Sequence, residues 1–459
     1  MSSSSGNPTD SAAQLSAHLQ TGLALFQQRQ FVAARIQFEA TLPLAPNHPE
    51  IHKAIGDTFQ GEKRLAEALP HWYRAIELKP DYVQAWQNLG LGLEHFDQLD
   101  EAITCHHRVT ELCPGDSKAH RFLGMSQLDA GQLDAAQASF DRALQLNSND
   151  PENRWQKFFL MALRGEFPQA WAEYEYRFKI PGRTTPERHF QKPKWRGEPL
   201  RGKTLFLHAE QGFGDTIQAV RYAPLLADQG ARVLLGCPPP LVALLRTVRG
   251  VAEILAEIPA DLAFDFHLPL MSLPGVLGTT LETAPCDVPY LAAPAEARVS
   301  LPANAEARVK IGLVWSGSHS QPIDRRSVPL MELRPLLDVP GVAFYSLQVG
   351  EAAADLEACG FGDCITNLAP QLKDFAATAA AIAQLDLVVT VDTSVAHLAG
   401  ALGKPTWLLL SFAPDWRWLR DREASPWYPS MRLFRQTRAG GWAEVAQRIA
   451  DELTRRASP

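Results

Sequence analysis

The chain has 459 residues, enough for two or three domains of ordinary size. Its composition, 46% hydrophobic and 21% charged, excludes a largely disordered chain. A net charge of -7 without a long basic run argues against a nucleic-acid partner. The polar start MSSSSGNPTD lacks the apolar core of a signal peptide, and no apolar run approaches the ~20 residues that span a membrane. These features predict a cytoplasmic protein without a transmembrane segment.

The first part of the chain repeats itself every 34 residues. Small residues at this spacing let two antiparallel helices approach closely, bulky residues fill the gap to the next unit, and prolines end the units. The pattern resembles the tetratricopeptide repeat, a helix-turn-helix unit of about 34 residues. It predicts four units and a degenerate fifth over residues 15–181, after a disordered segment 1–14. The register is carried by Gly22, Gly56, Gly90 and Gly124, by Ala34, Ala68, Ala102, Ala136 and Ala170, by Phe38, Trp72, Phe140 and Tyr174, and by Pro46, Pro80 and Pro114, with His106 as the one departure at the bulky position.

Stacked units of this kind form a concave groove, and such grooves usually bind peptides or proteins. The repeats therefore predict a surface that binds a protein or peptide partner. A scaffold that holds the rest of the chain, or that drives self-association, is the alternative interpretation of the same pattern.

The second part of the chain alternates strand-like and helical segments after a linker, 182–202, rich in Pro, Gly, Arg and Lys. This alternation predicts parallel sheets covered by helices. A Pro/Ala-rich connector divides the region into two Rossmann-like halves, 203–300 and 301–459. Ligands of open α/β sheets bind beyond the carboxyl ends of the strands, so site residues are expected in the turns that follow them. The predicted strands are 204–210, 231–237, 251–257, 309–318, 342–348, 386–392 and 405–411.

The turn EQGFGDT (210–216) follows the first of these strands. Its two glycines permit a tight turn and close approach of a ligand, and Gly214 is followed by Asp215 at the start of the next helix. The third glycine of a dinucleotide-binding fingerprint is missing. Asp215 is therefore a candidate catalytic side chain, with a plain helix cap as the alternative.

The turn WSGSH (315–319) follows the strand at 309, and DRRS (324–327) comes shortly after it. A loop of small residues with arginines nearby is typical of a phosphate site, because backbone N–H groups cradle the anion and a guanidinium offsets its charge. Ser316, Gly317 and Arg326 are the candidates here. A solvated loop is the alternative.

The third turn, Asp392-Thr393-Ser394, stands between a buried strand and a helix. Free N–H groups and the helix dipole favour an anion at such a point. The amides of Thr393, Ser394 and Val395 are predicted to hold phosphate, while Asp392, which would repel phosphate, is assigned to hydroxyl groups. His397 lies one turn further on and is predicted to face the same ligand, with a buried histidine as the alternative.

Taken together, the turns resemble those of GT-B glycosyltransferases. The segment DTSVAHLAGALGKP (392–405) is similar to the donor-binding motif of the ADP-heptose:lipopolysaccharide heptosyltransferases, glycosyltransferase family 9. That family usually has glycine where Ser394 stands. Gly214-Asp215 resembles the family's loop that carries the catalytic base. Repeats before a GT-B region also resemble the layout of the O-GlcNAc transferases of family 41, whose repeats bind protein acceptors.

The resemblance implies an inverting transferase in which a nucleotide sugar is the donor and Asp215 deprotonates the acceptor hydroxyl. The donor-side amides and Arg326 would stabilise the departing nucleoside diphosphate, Gln348 would contact the nucleotide, and Trp416 would line the donor pocket. His208 is the rival base. Since the first α/β half is short, the groove of the repeats is expected to present the protein, peptide or glycan acceptor.

No metal or other cofactor is expected. The sequence offers no D-x-D pair, its six cysteines form no C-x-x-C pair, and GT-B enzymes use helix dipoles and basic side chains in place of a cation. Two alternatives stay open: a non-catalytic repeat scaffold that binds nucleotide sugars, and a GT-B sugar-nucleotide epimerase.

Overall fold

The computed structural model describes residues 8–182, 187–302, 307–317 and 324–457. The chain forms two compact units, Met1–Asn153 and Arg154–Pro459. The boundary therefore lies about one repeat earlier than residue 181, where the sequence pattern places it. Ser318 and His319, part of the predicted phosphate loop, fall outside the described residues.

The first unit consists of helix pairs at the predicted spacing. A Cβ atom added to Gly22, Gly56, Gly90 or Gly124 would lie only 2.5–2.6 Å from the ring of the residue sixteen positions later, so each small residue packs against the bulky one of its own unit. The first helix begins at Pro8, which makes the prediction of disorder wrong for residues 8–14. The helices of the repeat region are α1 (Pro8–Gln27), α2 (Phe31–Glu39), α3 (Pro49–Gly61), α4 (Leu65–Leu78), α5 (Val83–His95), α6 (Leu99–Leu112), α7 (Ser117–Asp129), α8 (Leu133–Leu146), α9 (Pro151–Leu163) and α10 (Phe167–Tyr174).

The fifth repeat, α9 and α10, departs from the packing of the other four. Phe158 stands where the earlier units have glycine, and its ring centroid lies 4.6 Å from that of Tyr174. Trp171 donates its indole N–H to the Thr279 carbonyl at 2.8 Å. Phe158 also packs edge-on against Trp416 at 5.4 Å. These interactions explain why the chain from Arg154 onward belongs to the α/β unit.

The segment predicted as a linker is partly held against the first sheet. Lys194 forms a parallel bridge with His267, and the Trp195 amide donates to the His267 carbonyl at 2.9 Å. Trp195 and Leu200 are buried. Residues 194–200 therefore belong to the α/β unit and not to a free connection.

Two parallel sheets form the centre of the second unit, as the alternation predicts. The first has the order β3-β2-β1-β4 and the second the order β10-β9-β8-β5-β6-β7. The order in which strands are added to the sheet reverses at β1 in the first sheet and at β5 in the second. The carboxyl ends of the strands at such points are where α/β folds bind ligands. The strands are β1 (Thr204–His208), β2 (Arg232–Gly236), β3 (Val251–Leu255), β4 (Phe266–Pro269), β5 (Val309–Val314), β6 (Val342–Ser346), β7 (Ile365–Asn367), β8 (Leu387–Val391), β9 (Thr406–Leu410) and β10 (Met431–Arg435).

The helices of this unit are mostly short, and several are extended by 3-10 turns. None of the helices in the described ranges combines the length and the apolar character needed to cross a bilayer. The α-helices are α11 (Phe213–Ala219), α12 (Ala223–Asp228), α13 (Val242–Leu245), α14 (Leu273–Val276), α15 (Arg334–Leu337), α16 (Asp355–Ala358), α17 (Phe375–Ala383), α18 (Ser394–Ala401) and α19 (Trp442–Ala457).

Candidate functional site

A cavity of about 1100 Å³ lies at the carboxyl ends of the strands and takes its walls from both sheets and from the hairpin α9–α10. This volume is slightly above the usual range of about 300–1,000 Å³ for small-molecule sites. The predicted site residues that line it are Gly214, Asp215, Ser316, Gly317, Arg326, Gln348, Asp392, Thr393, Ser394, Val395, His397 and Trp416.

The start of α18 has the geometry expected of an anion site. Ser394 is its first residue and Thr393, in extended conformation, is its N-cap. Within the described part of the chain, the amides of 393, 394 and 395 donate to no other protein group. Since the helix dipole adds positive potential at this end, the three free N–H groups are suited to an anionic ligand.

Asp392 precedes these amides at the end of β8. Burial and the neighbouring carboxylate of Asp415 raise its pKa to about 6, while Arg326 and Arg417 oppose that rise. The oxygens of its carboxyl group are able to accept hydrogen bonds from ligand hydroxyl groups.

His397 is buried and also lines the cavity, and the partner of its ring is a phenol. Its Nδ1 lies 2.9 Å from the Tyr428 hydroxyl, and its ring stacks on Trp418 at a centroid distance of 5.5 Å. Burial, together with the charge of Arg417, lowers the pKa of His397 well below its usual value. A Cβ on Gly214 would lie 2.7 Å from the His397 ring, so this neutral imidazole packs directly against the Asp215 loop.

The loop after β5 differs from the phosphate cradle that the sequence suggests. The Gln348 amide oxygen accepts the N–H groups of Trp315 and Ser316 at 3.2 and 3.0 Å. The N–H of Gly317 donates to the Ser327 hydroxyl at 3.0 Å. These three backbone donors are therefore already used within the protein and are not free to bind a phosphate. Gln348, which also lines the cavity, braces the loop from the end of β6.

Arg326 remains beside this loop. Its guanidinium lies against Gly317, where an added Cβ would approach Nη2 to 3.2 Å. It also pairs with Asp324 at 3.7 Å and keeps one third of its side chain exposed. Arg326 thus places a cation at the cavity wall near Asp392, and its charge partly offsets the rise in the pKa of Asp392.

Asp215 is the third residue of α11, and its side chain takes part in a capping box at the start of this helix. Gly212 is the N-cap, and its N–H donates to Asp215 Oδ2 at 2.9 Å. The other oxygen, Oδ1, forms an ion pair with Arg417. The side chain keeps 22% of its surface exposed. Burial raises the pKa of Asp215 and Arg417 opposes the rise.

His208, the rival base, does not line the cavity. It is buried among Phe190, Phe206 and His267, with Nε2 3.4 Å from His267 Nδ1. Burial, with nearby arginines and lysine, lowers its pKa to about 3. A neutral imidazole outside the cavity is not placed to take a proton from a ligand bound there.

Sequence reasoning missed the partners of Asp215. Arg417 is separated from it by 202 positions, and the guanidinium also pairs with Asp415 at 2.8 Å. The sequence signal that could have indicated these residues is the stretch PDWRW (414–418), which follows β9. Nothing in the sequence pairs that turn with the one after β1.

A second missed group lies behind the Asp215 loop. Arg177 is fully buried and donates to Glu210 at 3.1 Å and to Glu175 at 2.6 Å. Burial raises the pKa of Glu210 to about 7, despite the charge of Arg177. Within the described residues, Glu210 Oε2 and the Tyr174 hydroxyl have no hydrogen-bond partner, and both residues line the cavity. Trp155 and Phe159, one turn apart on α9, add apolar surface beside them.

Potential metal ligands do not cluster here. Across the ranges that the structure describes, no group of three or more His, Cys, Asp or Glu side chains is arranged to hold an ion.

Comparison with known proteins finds a family similarity in part of the second sheet. Residues 344–410 match the family model of glycosyltransferase family 9 (heptosyltransferase). This segment of the chain is similar to glycosyltransferase family 9. The matched segment runs from β6 through β9 and includes Gln348 and the turn at 392–397, whereas Asp215 and Arg326 lie before it.

Protein FlbA of Caulobacter vibrioides is similar to this chain, with 29% identity over 328 residues. The match covers 64% of this chain and 53% of FlbA, so the chain spans about half the length of that relative. Among solved structures, Pseudomonas aeruginosa pilF is 21% identical over 38% of this chain and 80% of its own, with a TM-score of 0.34. MamA from Desulfovibrio magneticus RS-1 is 15% identical over 35% of this chain and 92% of its own, also with a TM-score of 0.34.

Proposed function

We propose that the chain is an inverting, metal-independent glycosyltransferase that moves a hexosyl or heptosyl group from a nucleotide sugar to an acceptor hydroxyl. One observation carries the proposal: a single cavity joins the Asp215 loop of the first sheet to the free amides at the start of α18 on the second. The match to glycosyltransferase family 9 over 344–410 supports the same reaction.

In this reaction the acceptor oxygen forms a bond to the anomeric carbon as the bond from that carbon to the phosphate oxygen breaks. The electron pair of the broken bond leaves with the nucleoside diphosphate. The acceptor proton passes to Asp215. Charge on the leaving group is met by the amides of 393–395 and by Arg326, groups that are in place before the reaction begins. Asp392 binds hydroxyl groups of the transferred sugar.

We further propose that the helical repeats bind the acceptor, which is a protein, a peptide or a glycan. The support is the regular packing of the first unit, because stacked repeats generate extended binding surfaces. The hairpin α9–α10 adds Trp155, Phe159 and Tyr174 to the cavity wall and so supplies apolar surface next to Asp215.

The test is donor binding followed by donor turnover. A nucleoside diphosphate should raise the melting temperature in a concentration-dependent way, because it binds the folded chain and not the unfolded one. One member of a panel of nucleotide sugars should then be hydrolysed slowly to nucleoside diphosphate and free sugar of inverted anomeric configuration. Binding without turnover would favour a nucleotide-sugar-binding scaffold, and formation of an epimeric sugar would favour an epimerase.

A further inference from the structure

Three nitrogens of the Arg417 guanidinium each contact a different side chain. Its Nη1 donates to Asp415 at 2.8 Å, its Nε donates to Gln218 Oε1 at 2.6 Å, and its Nη2 pairs with Asp215. Only 9% of the side chain is exposed. Trp416 covers one face of the guanidinium, with the ring centroid 4.4 Å from Cζ.

The backbone of this turn is fixed as well. The Arg417 amide donates to Asp415 at 3.0 Å, and the Arg417 carbonyl accepts the Trp427 indole N–H at 2.9 Å. Both Gln218 and Asp215 lie on α11, one turn apart. A planar guanidinium that is fixed by Asp415 and directs two donors at α11 therefore holds one face of that helix in a single orientation.

Arg417 follows β9 of the second sheet, whereas Asp215 follows β1 of the first. The proposed base therefore depends for its placement on a residue that stands beside the donor-binding turn. Other titratable groups also face this pair: Asp415, Glu210, Tyr174, Asp392 and His397.

We propose that Arg417 is a positioning residue for the transfer reaction, which aims the Asp215 carboxylate at the acceptor hydroxyl and keeps it charged until it takes the proton. The inference rests on the proposed function. Burial acts against the charged form of Asp215, and Arg417 is the nearest cation that acts for it. When the acceptor proton reaches Asp215, the neutral acid keeps its Gly212 N–H contact, and Arg417 keeps Asp415 as its counter-ion.

The experiment compares Arg417→Gln and Arg417→Lys with the full-length wild-type chain in hydrolysis of the nucleotide sugar that the wild type turns over. Arg417→Gln should lower kcat by up to about a hundredfold, the effect typical of a misplaced catalytic group. KM for the donor should stay within about threefold, since Asp392 and the α18 amides are untouched. Arg417→Lys, which restores the charge but not the three-armed geometry, should recover part of the rate.

The pH profile separates positioning from a merely structural role. Arg417 favours the ionised carboxylate, so its removal raises the pKa of Asp215 and the acid limb of kcat/KM should move to higher pH in Arg417→Gln. In an Asp215→Asn background, Arg417→Gln should cause no further loss. An unchanged acid limb, additive losses in the double variant, or a faster Arg417→Gln enzyme would each overturn the proposal.

Carbodiimide labelling reports the protonation of the Asp215 carboxyl group and does not depend on enzyme activity, because carbodiimides react with protonated carboxyl groups. Peptide mapping across pH should give a higher labelling midpoint for Asp215 in Arg417→Gln than in wild type, with Arg432→Gln as the matched surface control. Equal labelling midpoints in the two proteins would contradict the role of Arg417, whether or not the enzyme turns over a donor. Absence of donor turnover is a separate result, and it counts against the proposed transferase. If Arg417→Gln does not fold, Asp415→Asn is the alternative variant, because it removes one of the two carboxylates that pair with Arg417. Arg417 then pairs with Asp215 alone, so the labelling midpoint of Asp215 should fall. An unchanged midpoint in Asp415→Asn would contradict the proposal.

Discussion

The repeat unit, Met1–Asn153, and the α/β unit that contains the cavity, Arg154–Pro459, differ in the sequence separation of the residues that make their characteristic contacts. In the repeats, each glycine meets a bulky side chain sixteen positions later, as Gly56 meets Trp72. At the cavity, Asp215 meets Arg417 across 202 positions. Contacts of short, fixed spacing repeat in the sequence and can be recognised there, whereas a pair of residues that two different sheets bring together leaves no periodic pattern. Four variants test this contrast.

Deletion of residues 1–150 should have the largest effect if the repeats bind the acceptor. Transfer to a macromolecular acceptor should be lost, while slow hydrolysis of the donor continues, because every residue lining the cavity lies in the second unit. Intact mass of the acceptor and release of nucleoside diphosphate measure the two activities. Full transfer by the truncated chain would exclude the groove as the acceptor site, and circular dichroism checks that the fragment is folded.

Asp215→Asn should lower transfer by about 10²–10⁴-fold, the usual contribution of a general base. The amide keeps the size of the side chain, so nucleoside diphosphate should stabilise this variant as much as the wild type. His208→Gln is the matched control and should retain activity, since His208 lies outside the cavity. If the two variants behave the other way round, the base has been assigned to the wrong residue.

Asp392→Ala should weaken nucleotide-sugar binding roughly tenfold to hundredfold, the expected loss for hydrogen bonds to a charged group. Binding of the bare nucleoside diphosphate should change little, because the α18 amides remain. Ser394→Ala serves as the control, since it removes a hydroxyl but no amide. Isothermal titration of both ligands gives the comparison, and equal losses for the two would refute the placement of Asp392 on the sugar.

Gly56→Ala should have the smallest effect and concerns stability alone. Its Cβ would lie 2.5 Å from the Trp72 indole, and such overpacking typically costs about 1–3 kcal/mol. The better helix propensity of alanine offsets up to about 1 kcal/mol of that loss. Gly115→Ala, with no atom within 4 Å of the added Cβ, should stay within about 0.5 kcal/mol of wild type in urea unfolding. Equal stability of the two variants would contradict the tight packing.

Much of the fold could be predicted because it depends on local pattern. The helical repeats, two parallel sheets and seven strands follow from spacing and alternation. The sequence did not reveal β4, β7 and β10, which are short or carry charged and polar residues within the strand. The position of the boundary between the units was also missed, because Ala170 and Tyr174 keep the register of the repeats while Phe158, in the glycine position, packs against Tyr174 and Trp416.

The candidate site shows the same division. The turns after β1, β5 and β8 could be found because parallel strands bring their carboxyl ends to one edge. Which backbone donors stay free could not be found, since that depends on Gln348 and Ser327 reaching the loop after β5. The pairing of Asp215 with Arg417 and the burial of His208 likewise follow from packing between distant segments.

The place of α9–α10 within the α/β unit bears on how chains of this type can vary. Each repeat of a solenoid contacts only its neighbours, so units can be gained or lost before Asn153 without altering a cavity wall. The last hairpin has no such freedom, because Trp171 and Phe158 tie it to Thr279 and Trp416. Recombination that exchanges helical repeats between such chains is therefore expected to keep the hairpin α9–α10 and to join the new repeats before it.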